Sequence, residues 1–237
     1  TPAVNEYERE GRRVVWIFLD KSNRLRLGNS INNSFEYAVQ AATSLVEYYI
    51  VRQCKVGFAE FQTYPYKPIQ GMWLRQKIEE VDSVTMNPDI LYPESGQIQL
   101  YKINRRLLDV KTDTIGTSLL QIVQHAKRYL QGTNPLFIVI TNLTHERVSD
   151  LRSSLDEMMK YSRRLRGQRI NALIINVSGY FLASNTNYQK MAAALLQLEE
   201  KEFLRDVASP TVSVINWDPT RQNIVERMME AVKSVEG

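Results

Sequence analysis

Val14-Val15-Trp16-Ile17-Phe18-Leu19, followed at once by Asp20-Lys21-Ser22-Asn23-Arg24, decides the reading of this chain. The apolar run is far too short to span a membrane and too continuous for a strand with one wet face. Such a run is a strand buried on both faces of a parallel sheet. The polar loop then leaves the sheet at the carboxyl end of the strand, where open α/β sheets bind their ligands.

Working outward, similar apolar runs recur at residues 55–61, 136–141, 171–177 and 211–216, with a weaker one at 90–92 that reads as a short edge strand. Amphipathic stretches separate them. Ile31, Phe35, Ala38, Ala42, Leu45, Tyr49 and Ile50 keep helical spacing. Residues 97–109 place Ile98, Tyr101, Ile103, Leu107 and Leu108 on one broad face. Leu119, Ile122, Val123, Ala126 and Leu130 repeat the pattern over 118–131, with Gly132 as its C-cap. Further helices are expected at 148–166, 188–203 and 220–235. Alternating strands and helices predict an α/β fold with a doubly wound, mostly parallel six-stranded open sheet and helices on both faces. One domain over 1–237 is expected. An irregular excursion at 63–96 carries Pro65, Pro68, Pro88 and Pro93, and its middle, 73–81, is a candidate helix.

Composition narrows the classes. The chain has 237 residues, 43% of them apolar, enough for a substantial core. Its net charge of +4 is mildly basic, short of a dedicated nucleic-acid binder. The single cysteine, Cys54, excludes an intrachain disulfide. The chain starts at Thr1 rather than Met, so it reads as part of a longer protein. Neither a Gly-x-Gly-x-x-Gly nor a phosphate loop follows any strand, which leaves nucleotide binding without support. The Asn-x-Ser/Thr triplets at Asn32, Asn142 and Asn176 read as chance matches, the last two because they end buried strands.

Three polar clusters converge on the strand ends: Asp20, Ser22 and Arg24; Gly116-Thr117-Ser118 before a helix; and Asn142, Thr144 and His145. A strand ending in Asp-x-Ser-x-Ser, a later Gly-Thr opening a helix, and a strand ending in Thr-Asp or Ser-Asp form the metal-ion-dependent adhesion site of von Willebrand factor A domains, and this chain resembles that pattern. The resemblance covers nearly the whole chain. It is closer to the MoxR-associated, von Willebrand A-like family of uncharacterised prokaryotic proteins. The residues that carry it are 55–61, the segment Leu91-Tyr92-Pro93-Glu94-Ser95-Gly96-Gln97-Ile98-Gln99-Leu100, and the strand ending in Trp217-Asp218-Pro219.

Carried over by position, the resemblance implies a metal site at Asp20, Ser22 and Thr117. Two positions depart from it. Arg24 stands where a second serine is expected, and Asn142 where a second aspartate is expected. Mg²⁺ demands near-octahedral oxygen ligands. At an effective dielectric near 20, two unit charges about 4 Å apart interact by roughly 4 kcal/mol, and a divalent ion doubles that. The expectation is a degenerate site with no resident cofactor, Mg²⁺ being disfavoured by Arg24 and Asn142, and with Arg24 pairing Asp20 where the metal would sit.

Functionally, a non-enzymatic protein-interaction module is expected, binding its partner through Asp20, Lys21, Ser22, Arg24, Thr117 and Asn142. Lys21 and Arg24 suit an acidic partner group. The family resemblance implies a MoxR-type AAA+ ATPase as partner in protein assembly. It also implies membrane association through segments outside this chain. One alternative is a metal-dependent hydrolase using Asp20, Asn142 and His145. Another is a basic nucleic-acid-binding helix carrying Lys160, Arg163, Arg164, Arg166 and Arg169; a charge run of this kind is more often a solvated face. Thr117 also reads as a helix N-cap, His125 as a structural mid-helix residue and His145 as a surface histidine.

Overall fold

A computed structural model describes residues 13–62, 88–112, 116–144, 147–161, 171–223 and 226, with the side chain of Arg24 excepted. The expected helices at 73–81 and 220–235, His145, and the basic positions Arg163, Arg164, Arg166 and Arg169 lie outside the described residues or almost wholly so.

Six strands form one sheet: β1 (Val14–Asp20), β2 (Lys55–Phe61), β3 (Ile90–Glu94), β4 (Leu136–Thr141), β5 (Ala172–Val177) and β6 (Val212–Trp217). Their order is β3-β2-β1-β4-β5-β6. All neighbours pair in parallel except β2 with β3, so β3 is an antiparallel edge. This is the doubly wound α/β architecture, of von Willebrand A or Rossmann-like type. Strand order reverses between β1 and β4, which makes their carboxyl ends the topological switch point.

Every residue of β1, β4 and β5 is buried. Alternation along β1 divides the core. Val15, Ile17 and Leu19 face one cluster, with α1 (Ser34–Val51) and α2 (Gln97–Asp109). Val14, Trp16 and Phe18 face the other, with α3 (Leu119–His125), α4 (Lys127–Leu130), α5 (Val148–Met159) and α6 (Asn187–Val207). Gly57 in β2 is required by this packing: a Cβ there would lie 2.9 Å from the Trp16 ring and 3.0 Å from Pro93.

Several helices differ from the sequence pattern. Helix α1 starts at Ser34, because Asn33 caps it by accepting from the Glu36 N–H at 3.0 Å. Ile31 therefore falls in the preceding loop, exposed. The single helix expected over 118–131 breaks at Ala126 into α3 and α4, and His125 ends α3 on an exposed face rather than sitting mid-helix. In α2 the inward face is Gln99, Ile103 and Leu107, while Ile98, Tyr101 and Leu108 point to solvent. Register shifts where β2 meets β3, between Val56 and Phe58. The Gln99 amide donates to Val56 O at 2.7 Å and to Tyr92 O at 2.9 Å across that irregularity. A polar residue thus turns the helix because two strand carbonyls need donors.

Candidate functional site at the carboxyl ends of β1 and β4

Asp20 ends β1 with no exposure to solvent. Its Oδ1 accepts from the Ser22 N–H at 2.9 Å and the Ser22 hydroxyl at 2.6 Å. Its Oδ2 accepts from the Thr141 hydroxyl at 2.7 Å and from Arg147 Nη1 at 2.9 Å. Two carboxylate oxygens offer about four lone-pair directions, and all four are taken.

Arg147 is the residue that sequence reasoning missed. It is 2% exposed. One guanidinium nitrogen, Nη1, binds Asp20 and also donates to Asn142 O at 3.3 Å. The other, Nη2, donates to Ser22 Oγ at 2.9 Å. The planar fork therefore bridges the two residues expected to begin a metal shell. Arg147 stands at the N-cap of α5, its N–H donating to Thr144 O at 2.9 Å. Helix N-termini favour acidic side chains, since the backbone dipole is positive there. An arginine at that place was the available signal that its charge is used elsewhere.

The expected partner of Asp20 was Arg24. Its backbone lies in the short 3-10 turn Asn23–Leu25 and its side chain is outside the described residues; the cation that the structure pairs with Asp20 is Arg147. Asn142 is buried, and its amide donates to Val177 O at 2.8 Å, so the side chain serves the β4–β5 junction. Thr117 is tied to β2, its carbonyl accepting from the Gln62 N–H at 2.9 Å. The cap of α3 is Ser118, in a capping box with Gln121, and not Thr117. Gly116 makes this approach possible, because a Cβ there would stand 2.6 Å from Gln62 Oε1. Lys21 pairs with the half-buried Glu60 at 3.7 Å, which Arg106 also binds through Nε at 2.6 Å.

These contacts do not fit a divalent cation. Ser22 Oγ donates to Asp20 and accepts from Arg147, leaving it little electron density to offer. A guanidinium charge already compensates the carboxylate. Among the described residues, no group of three or more His, Cys, Asp or Glu side chains is arranged to hold a metal.

A cavity of about 230 Å³ opens beside the pair, between α3 and α5, lined by Gln62, Ser118, Thr141, Arg147 and Asp150 among others. Arg147 Nε is buried without a hydrogen-bond partner. Partial burial raises the carboxyl pKa of Asp150, and the Arg147 charge opposes that rise.

A second buried polar cluster adjoins the first. Asn176, at the end of β5, accepts from the Leu143 N–H at 2.6 Å and donates to Glu200 Oε1 at 2.8 Å. Asn216 of β6 donates to Glu200 Oε2 at 3.2 Å. Glu200 is 1% exposed on α6. Burial raises its pKa, against the two amide hydrogen bonds that lower it. Full burial of Asn142 and Asn176 also leaves no room for a glycan at either triplet.

No family model matches the chain, and no curated protein does. Among solved structures it is similar to proximal thread matrix protein 1 from the mussel byssus, in two crystal structures. Identity is 13% in both, with TM-scores of 0.44 and 0.45. The match covers 95% of this chain but only 46% of the other, so the chain spans about half the length of that protein.

Proposed function

We propose that the chain is a non-enzymatic protein-interaction module built on a von Willebrand A-like fold, with its metal chemistry replaced by an internal cation. The observation that supports this most is the Arg147 fork bridging Asp20 and Ser22 out of solvent. In a metal-bearing site, a partner carboxylate completes the shell of the ion. Here the equivalent positive charge belongs to the chain and is already satisfied.

The surface left to a partner is the outer part of the β1–α1 loop. Asn23, Arg26, Asn29 and Ile31 are exposed there, while Asp20, Ser22 and Leu25 are buried beneath. Lys21, drawn onto Glu60, contributes less than its sequence position promised. A MoxR-type AAA+ ATPase acting in protein assembly is the partner class that the sequence resemblance supports, with membrane association supplied by other parts of the protein. No helix among the described residues is long and apolar enough to cross a membrane.

The hydrolase reading loses support from the same geometry. Asp20 has no free lone pair for a metal or water, and Asn142 faces Val177.

The test is capture of the partner ATPase by the chain, compared with Arg24→Glu and Arg26→Glu variants. Loss of capture with an unchanged melting temperature supports docking on this loop. Undiminished capture by both variants counts against it. Isothermal titration with Mg²⁺ and Mn²⁺ provides the second arm, and micromolar affinity in the native chain overturns the internal-cation reading.

A further inference from the structure

Helix α6 has two faces of different use. Its inner face carries Ala193, Glu200, Leu204 and Val207, all buried. Its outer face carries Tyr188, Met191, Leu195 and Leu198, exposed at 86%, 68%, 64% and 58%. Successive spacings of three, four and three residues form the seam of a coiled coil. Ala192 and Ala194 flank that seam and are also exposed, and no charged residue occurs between Met191 and Leu198.

We propose that this seam pairs with the same seam of a second copy of the chain, antiparallel about a two-fold axis passing beside Ala193. In that register Tyr188 meets Leu198 of the second copy, and Met191 meets its Leu195. Ala192 and Ala194 lie next to the axis, where small side chains let two helix backbones approach closely. Glu199 falls opposite Asn187, and Lys201 opposite Asn185, so like charges do not meet. An isologous interface has to be self-complementary in this way.

Area argues for a reversible dimer. A large apolar side chain covers roughly 100–200 Å², so four that are more than half exposed present on the order of 400 Å² per copy. With the flanking alanines, two copies bury about 800–1,000 Å², below the size of stable interfaces and in the range of weak, transient ones. A lipid surface suits the seam less well, because interfacial helices are rich in basic residues and Lys190 is the only cation from Asn187 to Leu198.

The proposal is independent of the Asp20 site and is tested without the ATPase. Sedimentation of the whole chain from about 1 µM to about 500 µM is expected to show the 27.5 kDa monomer giving way to a species of twice that mass. Leu195→Glu is expected to move the midpoint at least about tenfold higher with no change in melting temperature. A short bis-maleimide is expected to capture Ala192→Cys as a dimer and not Tyr188→Cys, since only position 192 lies near its own copy across the axis; native Cys54 is buried. A chain that stays monomeric throughout overturns the proposal. So does equal capture of both cysteine variants, which indicates a parallel pairing. A monomeric Leu195→Glu variant that melts earlier than a monomeric parent also overturns it, by showing that other residues of the same chain cover the seam.

Discussion

Arg147 Nη1 lies 2.9 Å from Asp20 Oδ2, with the two side chains 2% and 0% exposed. They are 127 residues apart in sequence. This contact joins the end of β1 to the start of α5 across the switch point of the sheet. Taking both charges out of water costs several kcal/mol per ion, and mutual attraction offsets this only when the remaining hydrogen bonds are also made. Asp20 meets that condition with four bonds. Arg147 nearly does, with Nε left over.

Removing one partner leaves the other charge buried and alone. Arg147→Met is expected to lower unfolding free energy by about 3–5 kcal/mol. The double variant Asp20→Asn/Arg147→Met is expected to recover part of that loss, because it buries no charge. Urea denaturation of the native chain, both single variants and the double variant gives the coupling. Simple additivity would show that the pair is not an energetic unit.

The same geometry predicts a gain of function. Arg147→Ala removes the internal cation and frees oxygens of Asp20 and Ser22. This variant is expected to be stabilised by Mg²⁺ or Mn²⁺, by about 2.7 kcal/mol at a hundredfold excess over its dissociation constant. The native chain is expected to show no such dependence. Thermal melts with and without the metals decide it, and equal responses from the two chains would remove the idea.

Glu200 gives stability a pH dependence. Its folded pKa is raised by burial, so the folded chain holds that proton more tightly than the unfolded chain. Ionisation then costs stability, beginning as pH rises through the ordinary glutamate range and complete above the folded pKa. Glu200→Gln, which removes the charge, is expected to be more stable than the native chain at pH 8. That advantage should vanish as pH falls below about 4. A difference constant with pH would mean that Glu200 titrates alike in both states.

Gln99 is expected to resist improvement. Gln99→Leu adds apolar surface at a buried position but leaves Val56 O and Tyr92 O without their donor. Each buried carbonyl so abandoned costs about 1–3 kcal/mol. The variant is therefore expected to unfold at lower urea, and a more stable variant would show that the β2–β3 irregularity tolerates the loss.

Much of the fold was legible before any coordinates. Strands buried on both faces announce themselves as continuous apolar runs, and β2 and β4 begin and end where those runs do. Helix faces were read less well. Periodicity counts Ile98, Tyr101 and Leu108 as core because they are apolar, yet α2 turns on the hydrogen-bonding demand of two strand carbonyls that no local pattern records. Thr117 and Ser118 are adjacent and alike in chemistry, and only the backbone path selected Ser118 as the cap.

The sequence by itself determined the sheet, its buried strands, and the meeting of Asp20, Ser22 and the end of β4 at one edge. Short-range periodicity suffices for that, since hydrophobic burial acts on residues a few positions apart and the alternation of strand and helix limits the topology. It also marked Asp20 as a carboxylate in need of a cation. Which cation answers it was decided by tertiary structure alone. Arg24 is four residues from Asp20 and Arg147 is far along the chain, so local reasoning favours the nearer. Arg147 stands at the N-cap of α5, and from there its guanidinium spans Asp20 and Ser22 together.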